Sequence, residues 1–195
     1  MIRAFFNEKA SIWDESVAEK DVTKLENVAR QLNLELGTTV LDIGTGTGVF
    51  VPYLVKKMGQ EGQLVAFDIA EKMLQVARAK GIPGKITYVQ ADVAFMPLVD
   101  EHFDAVVCYS SFPHFDNKVK ALHEIKRVLK KGGRLFVCHT ASRDNINKIH
   151  SQIPGFASHI LPNRGEMKRL LLENGFVDVE VYDTTQSYFA TGMRP

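Results

Sequence analysis

The sequence has few cysteines, almost no net charge and no long apolar run, and each shortage excludes a class of protein. Cys108 and Cys138 form no CxxC motif, which excludes a disulfide framework and a zinc ribbon. Lysine and arginine total 24 against 23 for aspartate and glutamate, so the basic excess of a dedicated nucleic-acid binder is missing. No stretch approaches the roughly 18 apolar residues of a membrane-spanning helix.

The remaining composition is that of an ordinary globular domain. Apolar residues make up 45% and charged residues 24% of the 195 positions, which is enough for a sizeable core. We expect one domain over 1–195, with a helical N-terminal cap (1–36), a core (37–139) and a C-terminal part with an insertion and the last strands (140–195). The N-terminus soon turns charged and does not resemble a secretory leader, so the expected location is the cytoplasm.

Short apolar strands alternate with helical segments from residue 39 onward. Strands are predicted at 40–43, 63–67, 86–90, 103–109, 134–138, 177–182 and 187–191, and helices at 49–58, 71–80, 117–130, 144–152 and 164–174. Strands that alternate with helices of this length predict βαβ units and a parallel sheet. The fold class is therefore α/β, with a doubly wound, mostly parallel sheet that has helices on both faces.

Two helical segments have apolar faces that predict their limits. In the first, the periodic positions are Leu25, Val28, Ala29, Leu32 and Leu36, and Gly37 is expected to end the helix. In the helix at 117–130, the periodic positions are Val119, Leu122, Ile125 and Leu129, with Gly132 and Gly133 as the expected end.

The clearest chemical signal is a glycine-rich turn between the first strand of the alternating pattern and the helix after it. The turn is Gly44-Thr45-Gly46-Thr47-Gly48, and Asp68 ends the next strand 20 residues later. Such a turn presents backbone N–H groups and a helix N-terminus to a ligand. An acidic residue after the second strand can accept hydrogen bonds from both ribose hydroxyls. The pattern predicts a nucleoside-binding site at the carboxyl edge of the sheet.

The details of the turn distinguish between nucleoside cofactors. The dinucleotide fingerprint GxGxxG requires a third glycine at position 49, where this chain has Val49. Asp42 lies two residues before Gly44, and its carboxylate would repel a pyrophosphate but can anchor an ammonium group. These features favour a cofactor with a cationic amino-acid tail over a nicotinamide dinucleotide.

Together with further motifs, this turn makes the sequence resemble the class I S-adenosylmethionine-dependent methyltransferases. Among these, the sequence is most similar to the enzymes that act on small molecules. The resemblance covers roughly residues 37–140, and its pieces are Val40 to Gly48, Asp68 with Met73, Ala91-Asp92-Val93, Phe103-Asp104 and Leu129 to Leu135. It implies a Rossmann-like fold of seven strands with an antiparallel last strand. It also implies transfer of a methyl group from the sulfonium of S-adenosylmethionine to an O, N, S or C atom of a small molecule by in-line displacement.

The same resemblance gives roles to matching positions. The residues implied in cofactor binding are Asp42, Gly44, Thr45, Gly46, Gly48, Asp68, Ile69, Met73, Asp92, Val93, Tyr109 and Ser110. Asp68 would hold the ribose hydroxyls and Asp92 the adenine amino group, while Tyr109 would lie near the reacting methyl. The segment 37–139 then forms the cofactor-binding core, and 140–195 supplies the acceptor side.

Histidines follow two of the predicted strands at the edge where ligands bind. His114 comes after the fourth strand of the pattern and His139 after the fifth. Either is a candidate general base, and Tyr109 is a third catalytic candidate. A loop role for the histidines and a metal site that includes His150 stay open as alternatives, although no metal is expected. The candidate lid or wall residues are Phe6, Trp13 and Phe112.

Other functions remain compatible with these residues, because a fold does not determine a function. The alternatives are an RNA or protein methyltransferase, a non-catalytic S-adenosylmethionine-binding protein and a nicotinamide-dependent oxidoreductase. The basic run from Lys126 to Arg134 lies where a helix is expected to end, and cations there complement the helix dipole without any RNA. We therefore expect a small-molecule acceptor, no nucleic acid, no membrane partner, and a monomer or homodimer.

Overall fold

Seven strands form one sheet in the computed structural model, which describes residues 2–195. The strands are β1 (Thr39–Ile43), β2 (Gln63–Asp68), β3 (Lys85–Gln90), β4 (Phe103–Tyr109), β5 (Leu129–His139), β6 (Val177–Asp183) and β7 (Tyr188–Met193). Their order across the sheet is β3-β2-β1-β4-β5-β7-β6. β7 runs antiparallel to β5 and β6, and the other neighbouring pairs are parallel. The predicted fold class is confirmed, as is the antiparallel last strand.

Eight α-helices accompany the sheet within the described residues. They are α1 (Ile2–Lys9), α2 (Trp13–Ser16), α3 (Val22–Gln31), α4 (Val51–Met58), α5 (Glu71–Ala79), α6 (Lys118–Val128), α7 (Arg143–Gln152) and α8 (Arg164–Glu173). Side chains accept first-turn N–H groups at several starts, as Asn117 does for α6 and Ser142 for α7. Within residues 2–195 no helix has the length and apolar character needed to cross a bilayer, and the longest has 11 residues.

The core lies in two layers because successive side chains of each strand point to opposite faces of the sheet. In β4, Val106 packs into the layer that includes α6 and α8, whereas Val107 packs into the layer that includes α3 and α4. Both valines are fully buried. Apolar burial on both faces accounts for the nearly continuous apolar sequence of the central strands.

The prediction that the first apolar helix extends to Gly37 is wrong in its last turn. α3 ends at Gln31, and Leu32 is extended with ψ 114°. Leu32 still packs into the core, but Leu36 is 81% exposed. The Gly37 N–H donates to the carbonyl of Met58 at 2.8 Å, so this segment is held against the end of α4 instead of continuing a helix.

The helix predicted over 117–130 also ends early. α6 ends at Val128, and Leu129 already pairs with Phe103 as the first residue of β5. The Gly132 N–H donates to the carbonyl of Arg194 at 2.8 Å, so the glycines belong to the strand and not to a helix cap. Pairing with β4 and with the chain end overrides the helical pattern.

Val119 was expected on the buried face of α6 and is instead 46% exposed. The buried positions of this helix are Ala121, Leu122, Ile125 and Val128. At 3.6 residues per turn, this stripe leaves position 119 on the opposite side.

Arg127 on α6 holds the loop that precedes β4. Its guanidinium donates to the carbonyls of Met96 at 3.0 Å and Leu98 at 2.7 Å. It also pairs with Asp100 at 2.6 Å and with Glu124 at 2.8 Å. One side chain therefore satisfies two backbone acceptors and two carboxylates.

We expect Arg127→Ala to lower the free energy of unfolding by about 2 kcal/mol, because it leaves these acceptors without their charged donor. Urea denaturation followed by circular dichroism measures the change. Arg30→Ala is the matched control, because Arg30 is exposed and its one ion pair within residues 2–195 is with Glu26, one helical turn away; its effect should stay below about 0.5 kcal/mol. Equal effects of the two substitutions would contradict this role of Arg127.

Candidate active site

A cavity of about 650 Å³ opens at the carboxyl edge of the parallel strands. Most of the sequence-predicted site residues line it: Gly44, Thr45, Gly46, Asp68, Ile69, Met73, Asp92, Val93, Tyr109, Ser110, His114 and His139. They come together because parallel strands end at the same edge, where each is followed by a loop. Asp42 and Gly48 do not line the cavity. A volume of this size is typical of a site for a cofactor or a small molecule.

The glycine turn is fixed against β2 and presents bare backbone to the cavity. The N–H groups of Gly44 and Thr45 donate to the carbonyl of Phe67 at 2.7 and 3.0 Å. Gly44 has φ +74°, and a Cβ at this position would lie 2.3 Å from the Cβ of Ser111. Gly46 has φ +55° and nothing within 4 Å of its missing Cβ, so a ligand can approach the backbone there.

Asp68 ends β2 as a buried carboxylate on the cavity wall, 7% exposed. One carboxylate oxygen accepts the Gly46 N–H and the other accepts the Ala70 N–H, both at 2.8 Å. Burial raises the pKa of Asp68 to about 6, although these hydrogen bonds act in the opposite direction. The carboxylate has no cation partner among the described residues and keeps acceptor capacity for a ligand.

Asp42 lies beneath the glycine turn and is 1% exposed. Its Oδ2 accepts the Thr45 hydroxyl at 2.5 Å, whereas its Oδ1 has no hydrogen-bond partner within residues 2–195. Burial raises the pKa of Asp42 to about 7, and the nearby charge of Asp68 acts in the same direction. Any influence of Asp42 on a ligand therefore passes through the turn and not by direct contact.

Gly48 supports the turn from outside the cavity. It has φ +79°, and a Cβ at this position would lie 3.2 Å from the Cβ of Ala77 on α5. The glycine therefore lets the turn pack closely against that helix.

The cavity is acidic. Among the described residues that line it, four have carboxylate side chains and one is a lysine: Glu19, Asp68, Asp92, Asp116 and Lys120. Asp92 follows β3, where its side chain accepts the Ala94 N–H at 2.8 Å. This excess of negative charge suits a cationic ligand and opposes a pyrophosphate.

The N-terminal helices form a roof over the cavity. Phe6 and Trp13 line it, and their rings lie 5.4 Å apart. Asp14 attaches this roof to the glycine turn, since it accepts the Thr47 hydroxyl at 2.5 Å and pairs with Lys80 at 2.6 Å. Phe112, the third predicted lid or wall residue, is fully buried in the core and does not line the cavity.

His114 lies in the cavity wall below the roof. Its ring contacts Phe6 at 5.2 Å and Phe156 at 5.4 Å between centroids. Its Nδ1 lies 3.2 Å from Nδ1 of His159. Burial lowers the pKa of His114 well below that of a free histidine, and the surrounding histidines add to the shift. His114 is therefore neutral at pH 7.

The other two catalytic candidates are also uncharged at neutral pH. Burial lowers the pKa of His139 to about 3, and its Nε2 is buried without a hydrogen-bond partner. Burial raises the pKa of Tyr109 to about 12. The Tyr109 hydroxyl lies 3.1 Å from the Thr140 hydroxyl, and its ring stacks on Phe50 at 4.4 Å. Tyr109 can therefore donate a hydrogen bond but is a poor base.

The alternative of a metal site finds no support in this geometry. No three histidine, cysteine, aspartate or glutamate side chains in the described part of the chain converge as metal ligands. His150, the proposed partner in such a site, instead bonds through Nδ1 to the carbonyl of His159 at 2.6 Å.

Three residues of the site were given no functional role by the sequence reasoning. Asp14 is the roof attachment, Phe156 packs against Phe6 and His114, and His159 pairs with His114. None of them stands in a motif or at the end of a predicted strand. Their positions depend on how the N-terminal cap and the segment after α7 fold over the sheet edge.

The raised pKa of Asp42 leads to a stability prediction. Because folding disfavours the charged carboxylate, the stability linked to Asp42 is complete below the pKa of an unfolded aspartate, about 4, and is lost as the pH rises through about 7. Asp42→Asn should therefore raise the free energy of unfolding at pH 8 by up to about 4 kcal/mol, and by little at pH 4. Guanidinium denaturation at both pH values measures the difference.

The matched control is Asp144→Asn, because the Asp144 side chain is 83% exposed. Its effect should be small at both pH values. If the stabilisation by Asp42→Asn is no larger at pH 8 than at pH 4, burial of the charged Asp42 carboxylate does not destabilise the fold.

Comparisons with known proteins agree with this geometry. The family model described as a methyltransferase domain matches residues 41–137. The ubiquinone/menaquinone biosynthesis C-methyltransferase UbiE of Yersinia enterocolitica is 36% identical over 135 residues, which cover 67% of this chain and 53% of the relative. UbiE of Yersinia pestis (strain Pestoides F) is 35% identical over the same length. The chain thus spans about half the length of the curated relatives it matches.

Solved structures share the whole fold at lower identity. A SAM-dependent methyltransferase from Aquifex aeolicus superimposes with a TM-score of 0.77 at 24% identity, covering 97% of this chain and 98% of that one. The phosphoethanolamine N-methyltransferase 2 of Haemonchus contortus, solved with phosphomonomethylethanolamine and S-adenosylhomocysteine, gives 0.77 at 16% identity, covering 99% and 57%. The matched family model, the curated relatives and the shared fold lead to one conclusion: the chain belongs to the class I S-adenosylmethionine-dependent methyltransferases.

Proposed function

We propose that this protein binds S-adenosylmethionine in the acidic cavity and transfers its methyl group to a small-molecule acceptor. The observation that carries the proposal is the buried Asp68 carboxylate beside the bare backbone of Gly46, in a cavity with more acidic than basic residues. The carboxylate suits the two ribose hydroxyls, and the acidic surroundings suit a ligand with an ammonium and a sulfonium. The curated relatives are methyltransferases by name, which supports the same activity.

We assign the parts of the cofactor to the residues that the sequence analysis proposed for them. The turn at Gly44, Thr45 and Gly46 would hold the methionine tail, with Asp42 acting from beneath through Thr45. The adenine would lie between the remaining wall residues: Ile69, Met73, Asp92 and Val93. Gly48 would maintain the shape of the turn, and Tyr109 and Ser110 would adjoin the methyl group.

The chain's part in the reaction is mainly to align the reactants and exclude water. When bound, S-adenosylmethionine supplies an electrophilic methyl group on a positively charged sulfur. Trp13 and Phe6 in the roof would keep water from that methyl group. Alignment of two reactants can supply roughly 7–11 kcal/mol of the barrier. His114 is our first candidate to accept a proton from the acceptor, with His139 second, because both are neutral and border the cavity.

We infer that the acceptor is a small molecule with a substantial apolar part. Beyond the cofactor positions, the cavity is bordered by Phe6, Ile146 and Ile149. The roof makes this chamber a poor match for a folded nucleic acid or protein. The matched relatives are named C-methyltransferases of ubiquinone and menaquinone biosynthesis, which agrees with an apolar acceptor.

A nicotinamide-dependent oxidoreductase is the less favoured function, because Val49 replaces the third glycine and the cavity is acidic. A non-catalytic binding protein would keep the cofactor contacts without transfer. We place the protein in the cytoplasm, where the free thiols of Cys108 and Cys138 stay reduced. Its assembly as a monomer or homodimer stays a prediction.

The Asp68 contact is tested by calorimetric titration with S-adenosylmethionine, S-adenosylhomocysteine and NADH. The protein should bind the first two and not NADH. Asp68→Asn should weaken both by ten- to a hundredfold, because a charged acceptor for two hydroxyls is lost. Asp144→Asn should leave both affinities unchanged. Binding of NADH alone, or an unchanged affinity in a folded Asp68→Asn protein, would overturn the proposed site.

The roof is tested by Trp13→Ala in the same titration. Removal of a large ring from the cavity wall should weaken S-adenosylmethionine binding about tenfold. Tyr182→Ala is the control, since Tyr182 is 52% exposed on β6 and does not line the cavity. Equal affinities of the two variants would show that the N-terminal helices are no lid for the cofactor.

A further inference from the structure

The pair formed by His114 and His159 is a feature that the proposed function leaves unexplained. His114 lines the cavity, whereas His159 does not and lies behind it. Their Nδ1 atoms are 3.2 Å apart, a hydrogen-bond distance. One ring must donate and the other accept, so the pair holds one shared proton between two nitrogens.

The position of His159 is itself fixed by backbone contacts. The His159 N–H donates to the carbonyl of Phe156 at 2.8 Å. Its carbonyl accepts from Nδ1 of His150 at 2.6 Å. His159 is 9% exposed, and its ring lies tilted against that of Phe156 with centroids 4.7 Å apart. A ring held in this way can hold its neighbour in a chosen orientation and protonation state.

The second nitrogen of His114 is free of the protein. No side chain or backbone group within residues 2–195 hydrogen-bonds to His114 Nε2. Phe6 and Phe156 contact the ring through their aromatic edges and faces and offer no hydrogen bond. With Nδ1 taken by His159, Nε2 is the nitrogen that remains for a ligand.

We propose that His159 is a positioning residue that holds His114 in the Nδ1–H tautomer, so that His114 Nε2 accepts the proton released by the methyl acceptor. The inference rests on the proposed function. The bond between sulfur and the methyl group breaks, and the sulfonium becomes a neutral thioether. The acceptor atom forms a new bond to the methyl group. The proton leaves the acceptor atom for His114 Nε2, and the electron pair of the broken bond to hydrogen stays on the acceptor atom.

Charged and titratable groups from neighbouring elements surround the histidine pair. The negative charge of Asp116 raises the pKa of His159, although burial, the larger effect, lowers it. His139 and His150 face His114 from β5 and α7, and the Lys118 ammonium faces both rings from α6. These groups oppose a positive charge on His114, so the ring enters the reaction neutral and has an unprotonated nitrogen, but they also make it a weaker base than a free imidazole.

The arrangement also narrows the class of acceptor. A base is needed only where the reacting atom carries a hydrogen that must leave. The acceptor would then be a hydroxyl, a thiol, a primary or secondary amine, or an activated C–H of an electron-rich ring. A thioether or a tertiary amine has no such proton and would make no use of His114.

The test is the tautomer of His114, read from the imidazole ¹⁵N shifts of uniformly ¹⁵N-labelled protein at pH 7.5. Free histidine prefers the Nε2–H form, and the exposed His123 serves as the internal reference for it. His114 should instead show a protonated Nδ1 and an unprotonated Nε2. A protonated Nε2 on His114, or a doubly protonated ring, would overturn the proposal.

Two variants separate positioning from folding. In His159→Asn the side-chain oxygen can still accept the His114 Nδ1–H, so the tautomer should be kept. In His159→Leu the acceptor is gone, and His114 should move to the Nε2–H form. The same tautomer in both variants would contradict the role of His159. Calorimetry with S-adenosylmethionine on these proteins is independent of the tautomer, so a failure of the cofactor assignment is distinguished from a failure of the histidine pair.

Discussion

The site depends on uncompensated negative charge buried at one edge of the sheet. Asp42 and Asp68 end up beneath and beside the glycine turn, and neither has a cationic partner within the described residues. Burial raises the pKa of both, so the folded protein holds carboxylates that would be more stable in water. A cationic ligand relieves this cost, which links the stability of the site to the cofactor that we propose.

The strand ends make this arrangement possible, and the roof completes it. The turn is attached to β2 through the Phe67 carbonyl, and the Gly46 N–H donates to the Asp68 carboxylate at 2.8 Å. The roof is joined to the same turn through the contact of Asp14 with Thr47. A change in the turn on ligand binding would therefore reach the N-terminal helices directly, because the two share a hydrogen bond.

The meeting of the glycine turn and Asp68 at one cavity was predictable from the sequence because its signals are local. A glycine turn after one strand and an aspartate after the next define Gly44, Gly46 and Asp68 within a short stretch, and the sheet topology brings them together. The acceptor side was less predictable. His159 contacts His114 although the two are 45 residues apart in sequence, and no periodic pattern predicts such a contact.

The errors in element limits have a related cause. The leucines at positions 36 and 129 continue a helical pattern in sequence, yet one is in solvent and the other begins β5. The conformation at position 129 is determined by strand pairing, and that at position 36 by the path of the chain into β1. Both are tertiary effects that local helix propensity does not predict. Asp42 was correctly placed next to the turn, but its position beneath the cavity floor, away from the ligand space, depends on the direction of its side chain from β1.

The measurement that tests the account most directly is a crystal structure of the protein with S-adenosylhomocysteine. We predict that the ribose hydroxyls lie within hydrogen-bond distance of the Asp68 carboxylate, the amino-acid tail lies along the turn at Gly44 to Gly46, and the sulfur faces the side of the cavity that holds His114. A ligand bound elsewhere, or one whose ribose lies away from Asp68 in this cavity, would contradict the central claim that the buried acidic edge is a site for the methyl donor.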